Sequence, residues 1–221
     1  MTSLLGSFPS IPQQKKRRTF FSFHYADIMR VNVVRKSGEF ATTAGAPGRD
    51  IEGYYDASLW EKKKLEGDEA LKRMIREGVE NTSCVCVLIG TETWQRRWVK
   101  YEIARSVVDG RGLMAVHINS INHHQRVRPD ERGYNPCGIL GLAAHVSGNY
   151  YLVERKFVNG AWVWEWYQDY TTAVSVPRYM KPPTPNHPVR LAEVTREYDW
   201  SQNGHRNIGG WLDLAATEAG R

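Results

Sequence analysis

Glu102 is the side chain whose type and neighbours could do chemistry. It lies in the run SCVCVLIGTETWQRRWVKYEI, residues 83–103. The seven residues 83–89 are almost all apolar and β-branched or small, the pattern of a strand covered on both faces. Gly90 ends that strand, and Thr91, Thr93, Gln95 and the Arg96-Arg97 pair make a polar connection. Val99, Ile103 and Val107 then recur every fourth residue, the core stripe of a helix, with Trp98 and Glu102 sharing the neighbouring face. A carboxylate on the first turns of such a helix, beside an indole and at the carboxyl end of a parallel strand, sits where open α/β sheets keep their ligands. A lone carboxylate there can hold hydroxyl groups and stabilise positive charge developing in a bound molecule. An ordinary helical glutamate is solvent-exposed, so the reading depends on what the rest of the chain builds around it.

Other chemistries find less support. Adjacent His123 and His124 lack the separated spacing and carboxylate partners of a zinc site. There is no Walker A loop, and no GxGxxG follows the first strand, which argues against a resident Rossmann-type dinucleotide. Arg30 and Arg35 could meet a pyrophosphate, but their spacing reads better as the solvated side of a helix. Cys84 and Cys86, two apart on one strand face, suit core packing and not a disulfide, and Cys137 stands alone. Three cysteines with no paired framework point to a reduced, cytoplasmic setting.

The elements that must position Glu102 follow from periodicity. A first strand covers residues 20–23, and Asp27 is placed to cap a helix with Ile28, Val31 and Val34 inward. Residues 37–50, SGEFATTAGAPGRD, are small and Gly-rich and read as a loop beside the site. A short second strand is expected at residues 53–56, and Leu71, Met74, Ile75 and Val79 mark a helix with Asp68 near its start. Residues 113–118 form another apolar strand, after the stop signal Gly110-Arg111-Gly112. Strand and helix alternating in this way predict a flavodoxin-like parallel sheet with helices on both faces. Beyond it, YYLVERKFVNGAWVWEWY predicts a β-hairpin with Asn159-Gly160 at its tip and Trp162, Trp164 and Trp166 on one face. That row of indoles is expected to pack on the sheet or on a partner. KPPTPNHP, residues 181–188, reads as a stiff linker, and Ile208, Trp211, Leu212 and Ala215 as the inner stripe of a docking helix. The division expected is a flexible basic tail at 1–18, an α/β domain at 19–145, and an extension of hairpin, linker and helix at 146–221.

A chain of 221 residues with 41% hydrophobic and 24% charged residues can bury one good core plus an appendage. No apolar run approaches the ~20 residues of a membrane span. The N-terminus lacks a signal-peptide pattern. The net charge of +6 concentrates only at residues 15–18 and is otherwise interspersed with acids. That distribution argues against sequence-specific nucleic-acid binding and would still favour a phosphate-bearing substrate.

Four motifs stand in order: FSFHY at residues 21–25, Asp56 after the second strand, Ser83 before the third, and WVKYEI at residues 98–103. In this order they resemble the Toll/interleukin-1 receptor (TIR) domain, and more closely its bacterial branch in Thoeris anti-phage defence. The resemblance covers about residues 19–120, with a weaker echo in YDW and AATEAGR near the end; the insert before Asp56 is longer than a compact TIR loop. It implies cleavage of the nicotinamide–ribose bond of NAD, a substrate and not a cofactor. Glu102 would be the catalytic residue, with Phe23, His24, Tyr25, Asp56, Trp60 and Trp98 around the substrate. It implies too an ADP-ribose-derived product, cyclic or conjugated, that activates a separate effector protein, and is compatible with self-assembly and a phage-derived trigger. No membrane partner and no metal are expected. The competing expectation is a non-catalytic TIR assembly module that uses the same surfaces, the tryptophan hairpin and the last helix to bind partners.

Overall fold

The computed structural model describes residues 17–37, 40, 50–53, 62–63, 65–122, 125 and 128–221. Its centre is a five-stranded, wholly parallel sheet built from β1 (Thr19–Phe23), β2 (Ile51–Glu52), β3 (Cys84–Ile89), β4 (Gly112–His117) and a late strand, β9 (Arg196–Asp199), in the order β2-β1-β3-β4-β9. β3 and β4 are buried at every position, as continuous apolar runs require when helices cover both faces of a sheet. On one face lie α2 (Asp68–Glu80) and α3 (Arg97–Val108), whose Ile75, Val79, Val99, Ile103 and Val107 pack on Phe20, Val85, Val87 and Ile89. On the other, α1 (Ile28–Arg35) and α5 (Gly204–Glu218) bring Val31, Val34, Ile208 and Leu212 against Phe21, Cys86 and Leu88. Strand alternation sends consecutive β1 side chains to opposite cores.

Between β4 and β9 the chain builds a second, antiparallel sheet from β5 (Leu140–Ala144), β6 (Tyr150–Val158), β7 (Ala161–Trp166) and β8 (Val189–Arg190), in the order β7-β6-β5-β8, followed by the short α4 (Leu191–Val194). Leu140, Leu142, Leu152 and Tyr167 of this region join the α3 side of the core. Helix α3 is therefore enclosed between the parallel sheet and the antiparallel one, and seven of its residues are buried, among them Tyr101, Glu102, Ala104 and Ser106 as well as the expected stripe.

The flavodoxin-like sheet, the hairpin and the last helix stand as the sequence predicts. Asn159 and Gly160 both have positive φ, 51° and 82°, as the tight hairpin turn demands. Four expectations need correction. The second strand begins at Ile51–Glu52, aligned with Thr19 and Phe20, and Gly53, expected as its first residue, lies past it at φ 78°; residues 54–56 of the expected strand are outside the described residues. Asp27 stands at the N-cap of α1 without capping it through its side chain; the carboxylate is taken by Arg30 instead. Arg30 is only 4% exposed and is not on a solvated face. Finally, residues 146–221 are not an appendage beyond a boundary at 145: they supply the fifth strand of the parallel sheet and the helix that seals its second face. β9 escaped notice because REYD is short, charged and at a sheet edge, with no apolar alternation to mark it. Asp56, Trp60, the His123-His124 pair, residues 1–16 and most of the Gly-rich loop lie outside the described residues.

Candidate functional site

Ser22 and Glu102 meet where β1 passes beneath α3. The alternation that puts Phe20 in the α3-side core also turns Ser22 that way, and Ser22 Oγ donates to Glu102 Oε2 at 2.6 Å. Glu102 is 5% exposed. Burial pushes its carboxyl up to about 8, with the Ser22 hydrogen bond pulling the other way. No cation pairs with it among the described residues, so the group is a buried acid held by one hydroxyl and largely protonated at neutral pH.

Two residues beyond Ser22, just past the end of β1, the chain reaches the rim of a cavity of about 620 Å³ at the carboxyl ends of the central strands, lined by His24, Asp27, Arg30, Thr91, Glu92 and residues 128–131. This is the end of the sheet at which open α/β folds bind ligands. Its wall is organised around Arg30, which reaches Asp27 at 3.0 Å, Asp130 at 2.8 Å and the Ile121 carbonyl at 2.9 Å. Burial raises Asp27 above the usual carboxylate range while Arg30 lowers it. His24, half-buried, is held below its ordinary value by burial and then by the Arg96 charge, so it is a neutral imidazole at pH 7.

The loop closing this wall is seated by absent side chains. A methyl group on Gly90 would fall 1.9 Å from an Asp27 carboxylate oxygen, and one on Gly133 would fall 2.0 Å from the Gly90 carbonyl. The backbones approach this closely because neither residue carries a Cβ. Asn119 and Thr91 then fasten the loop through the Glu131 carbonyl, at 2.7 and 2.9 Å.

The residues singled out in the sequence divide into groups. His24 lines the cavity, and Tyr25, 53% exposed, stands beside it at the surface. Glu102 is two positions of strand β1 away through Ser22 and does not itself line that cavity. Phe23 turns to the opposite face and packs on the α1/α5 core, away from Glu102. Trp98, one helical turn before Glu102, packs edge-on to Tyr101 beneath the Arg97 guanidinium, 4.7 Å from its ring centre. Arg97 is itself clamped by Asp169 and Asp68, which ties the start of α3 to both its neighbours. Ser22 and the Asp27–Arg30–Asp130 wall were missed. The serine inside FSFHY was a readable signal for the first, whereas the second joins residues a hundred positions apart.

Residues 20–123 match the family model described as Thoeris protein ThsB, TIR-like domain. A protein of Bacillus cereus (strain MSX-D12) named "Putative cyclic ADP-D-ribose synthase ThsB1" is 36% identical over 204 residues, covering 89% of this chain and 99% of that protein. The chain belongs to the Thoeris ThsB family. Within this ThsB-family chain the TIR-like match takes in β1, α1, α2, β3, α3 and β4, hence Ser22, His24, Trp98 and Glu102. The pairwise match extends well past residue 123, into the part of the chain that completes the parallel sheet. Among the described residues no helix is long and apolar enough to cross a membrane, and no group of three or more candidate ligands could hold a metal ion.

Proposed function

We propose that this ThsB-family protein consumes NAD, cleaving the nicotinamide–ribose bond and making an ADP-ribose-derived signal, cyclic in the first instance, that activates a separate effector in anti-phage defence. The family membership and the name of the Bacillus cereus relative support this reading. The observation that carries it is Glu102, a carboxyl group buried without a cation partner among the described residues. Such burial is costly unless a positively charged partner arrives, and the nicotinamide ring of NAD is a cation.

The chemistry suits a single carboxylate. The glycosidic C–N bond breaks with its electron pair passing to the pyridinium nitrogen, so nicotinamide departs neutral and no general acid is needed. Glycosidases that expel an alkoxide need a second carboxyl group for that task. Glu102, its proton passing to solvent as the cation approaches, stabilises the oxocarbenium-like sugar and holds its hydroxyls, while Ser22 fixes the carboxylate's orientation. A nucleophile of the same ADP-ribose closes the ring and gives up its proton to the Glu102 carboxylate, which restores the acid; water in its place would give the open product. Neutral His24 at the cavity rim and Trp98 on α3 are the groups of this chain assigned to the rest of the substrate, with Tyr25, Asp56 and Trp60. Phe23 is assigned a supporting place in the core beneath them.

Purified protein, with its trigger where one is required, is expected to deplete NAD and release nicotinamide stoichiometrically, with mass spectrometry of the products separating cyclised from open ADP-ribose. Glu102→Gln should lower nicotinamide release by at least about 100-fold. Equal release by that variant would remove Glu102 from the mechanism, and no release under any trigger would leave the assembly-module reading.

A further inference from the structure

A second recess lies at the junction of the two sheets, with a lining that shares no residue with the cavity at His24 and Arg30. It encloses about 510 Å³ between the ends of β4 and β9, the loop at residues 132–135 and the face of the tryptophan hairpin. Three arginines, Arg132, Arg155 and Arg190, line it with Glu197, and Tyr134 and Trp162 supply aromatic faces. Arg132 is held by Glu197 at 3.0 Å and Asp199 at 3.2 Å, and Arg190 by Glu193. Arg155 differs. Its guanidinium has no carboxylate partner among the described residues and lies over Trp162 and Trp164, 5.0 and 5.8 Å from their ring centres.

We infer that this recess binds a nucleoside phosphate. An uncompensated guanidinium, half-buried and backed by indoles, is an anion site whose planar fork suits phosphate oxygens. Trp162, 43% exposed, and Tyr134, 72% exposed, supply exposed aromatic surface for a base. The volume lies in the range that encloses small ligands. Hairpin register explains why the pieces coincide: Arg155 stands directly opposite Trp164, with Trp162 two residues along on the same face. The inference is independent of the role given to Glu102.

The test uses the full chain and AMP as probe, with adenosine and inorganic phosphate as its two halves, read by equilibrium dialysis and by tryptophan fluorescence. One AMP per chain is expected, with either half binding at least about tenfold more weakly. Arg155→Ala and Trp162→Ala should each weaken AMP by about tenfold or more, and Arg155→Lys should recover only part of the loss. Arg155→Ala should leave nicotinamide release from NAD unchanged, which separates this recess from the NAD-cleaving site. Circular dichroism and thermal melts identify any variant that fails to fold; Tyr134→Ala, on an exposed side chain, then serves as the second variant and should weaken AMP in the same way. AMP binding indifferent to both Arg155 and Trp162, absence of AMP binding, or phosphate binding as tightly as AMP would each overturn the inference. So would an acidic peptide that occupies the recess where AMP does not.

Discussion

At the scale of the residue, the chain accepts a cost at Glu102. A carboxyl pushed from 4.5 to about 8 by burial binds its proton more tightly in the folded state than in the unfolded chain. Its contribution to stability is therefore complete below about pH 4.5, declines as the pH rises, and is lost once the pH has passed about 8; the loss has a ceiling of about 5 kcal/mol. Glu102→Gln removes the ionisation and keeps an acceptor for Ser22. Thermal unfolding of the two proteins should therefore differ little at pH 5, with the variant melting higher by several degrees at pH 8.5. A variant that loses activity yet gains stability progressively as the pH rises above about 5 is what a functional buried acid predicts, and an equal or lower melting temperature at pH 8.5 would contradict it. His24, neutral at pH 7, adds no competing charge in the cavity beside it.

At the scale of the element, α1 and the loop at residues 128–131 are held together by a buried ion triad. Arg30 sits between Asp27 and Asp130, and its Nε donates to the Ile121 carbonyl. Replacing Arg30 by Met leaves two carboxylates facing each other without their cation, so denaturant unfolding should show a loss of about 3–5 kcal/mol. The same change should open the cavity wall, because the Asp130 contact helps to seat the loop. A loss below about 1 kcal/mol would mean that the triad is only a surface pairing. The first turns of α3 are fixed differently, through Arg97 to Asp169 and Asp68, so that the helix carrying Glu102 is tied to α2 and to the segment after β7.

At the scale of the whole molecule, the two sheets form one core around α3, and the last 26 residues belong to the parallel sheet. Residues 196–221 supply β9, which pairs with β4, and the Ile208, Leu212, Ala215 and Ala216 face of α5, all fully or nearly fully buried. The stacked Tyr198 and Trp211 rings, 4.2 Å apart and nearly parallel, join these two elements to each other. A chain ending at residue 195 exposes the part of β3 and β4 that α5 covers and the edge of β4 that pairs with β9. It should give no cooperative thermal transition and appear as insoluble or molten protein by circular dichroism, whereas an appendage could be removed with the α/β domain intact.

What this sequence determined alone was whatever local pattern encodes. Continuous apolar runs gave β3 and β4, a four-residue spacing gave α2 and α3, Asn159-Gly160 gave the hairpin, and motif order pointed to the TIR-like family, because period, turn chemistry and spacing act between near neighbours. Tertiary structure decided the rest. The burial of Glu102 and its pairing with Ser22 come from the register of a strand under a helix, the enclosure of α3 from a second sheet closing over its other side, and the Arg30 triad from a loop a hundred residues away. β9 is a strand only because β4 presents an open edge for it. Long-range contacts of this kind depend on which surfaces remain uncovered once the local elements have formed, and no single stretch of the chain records that.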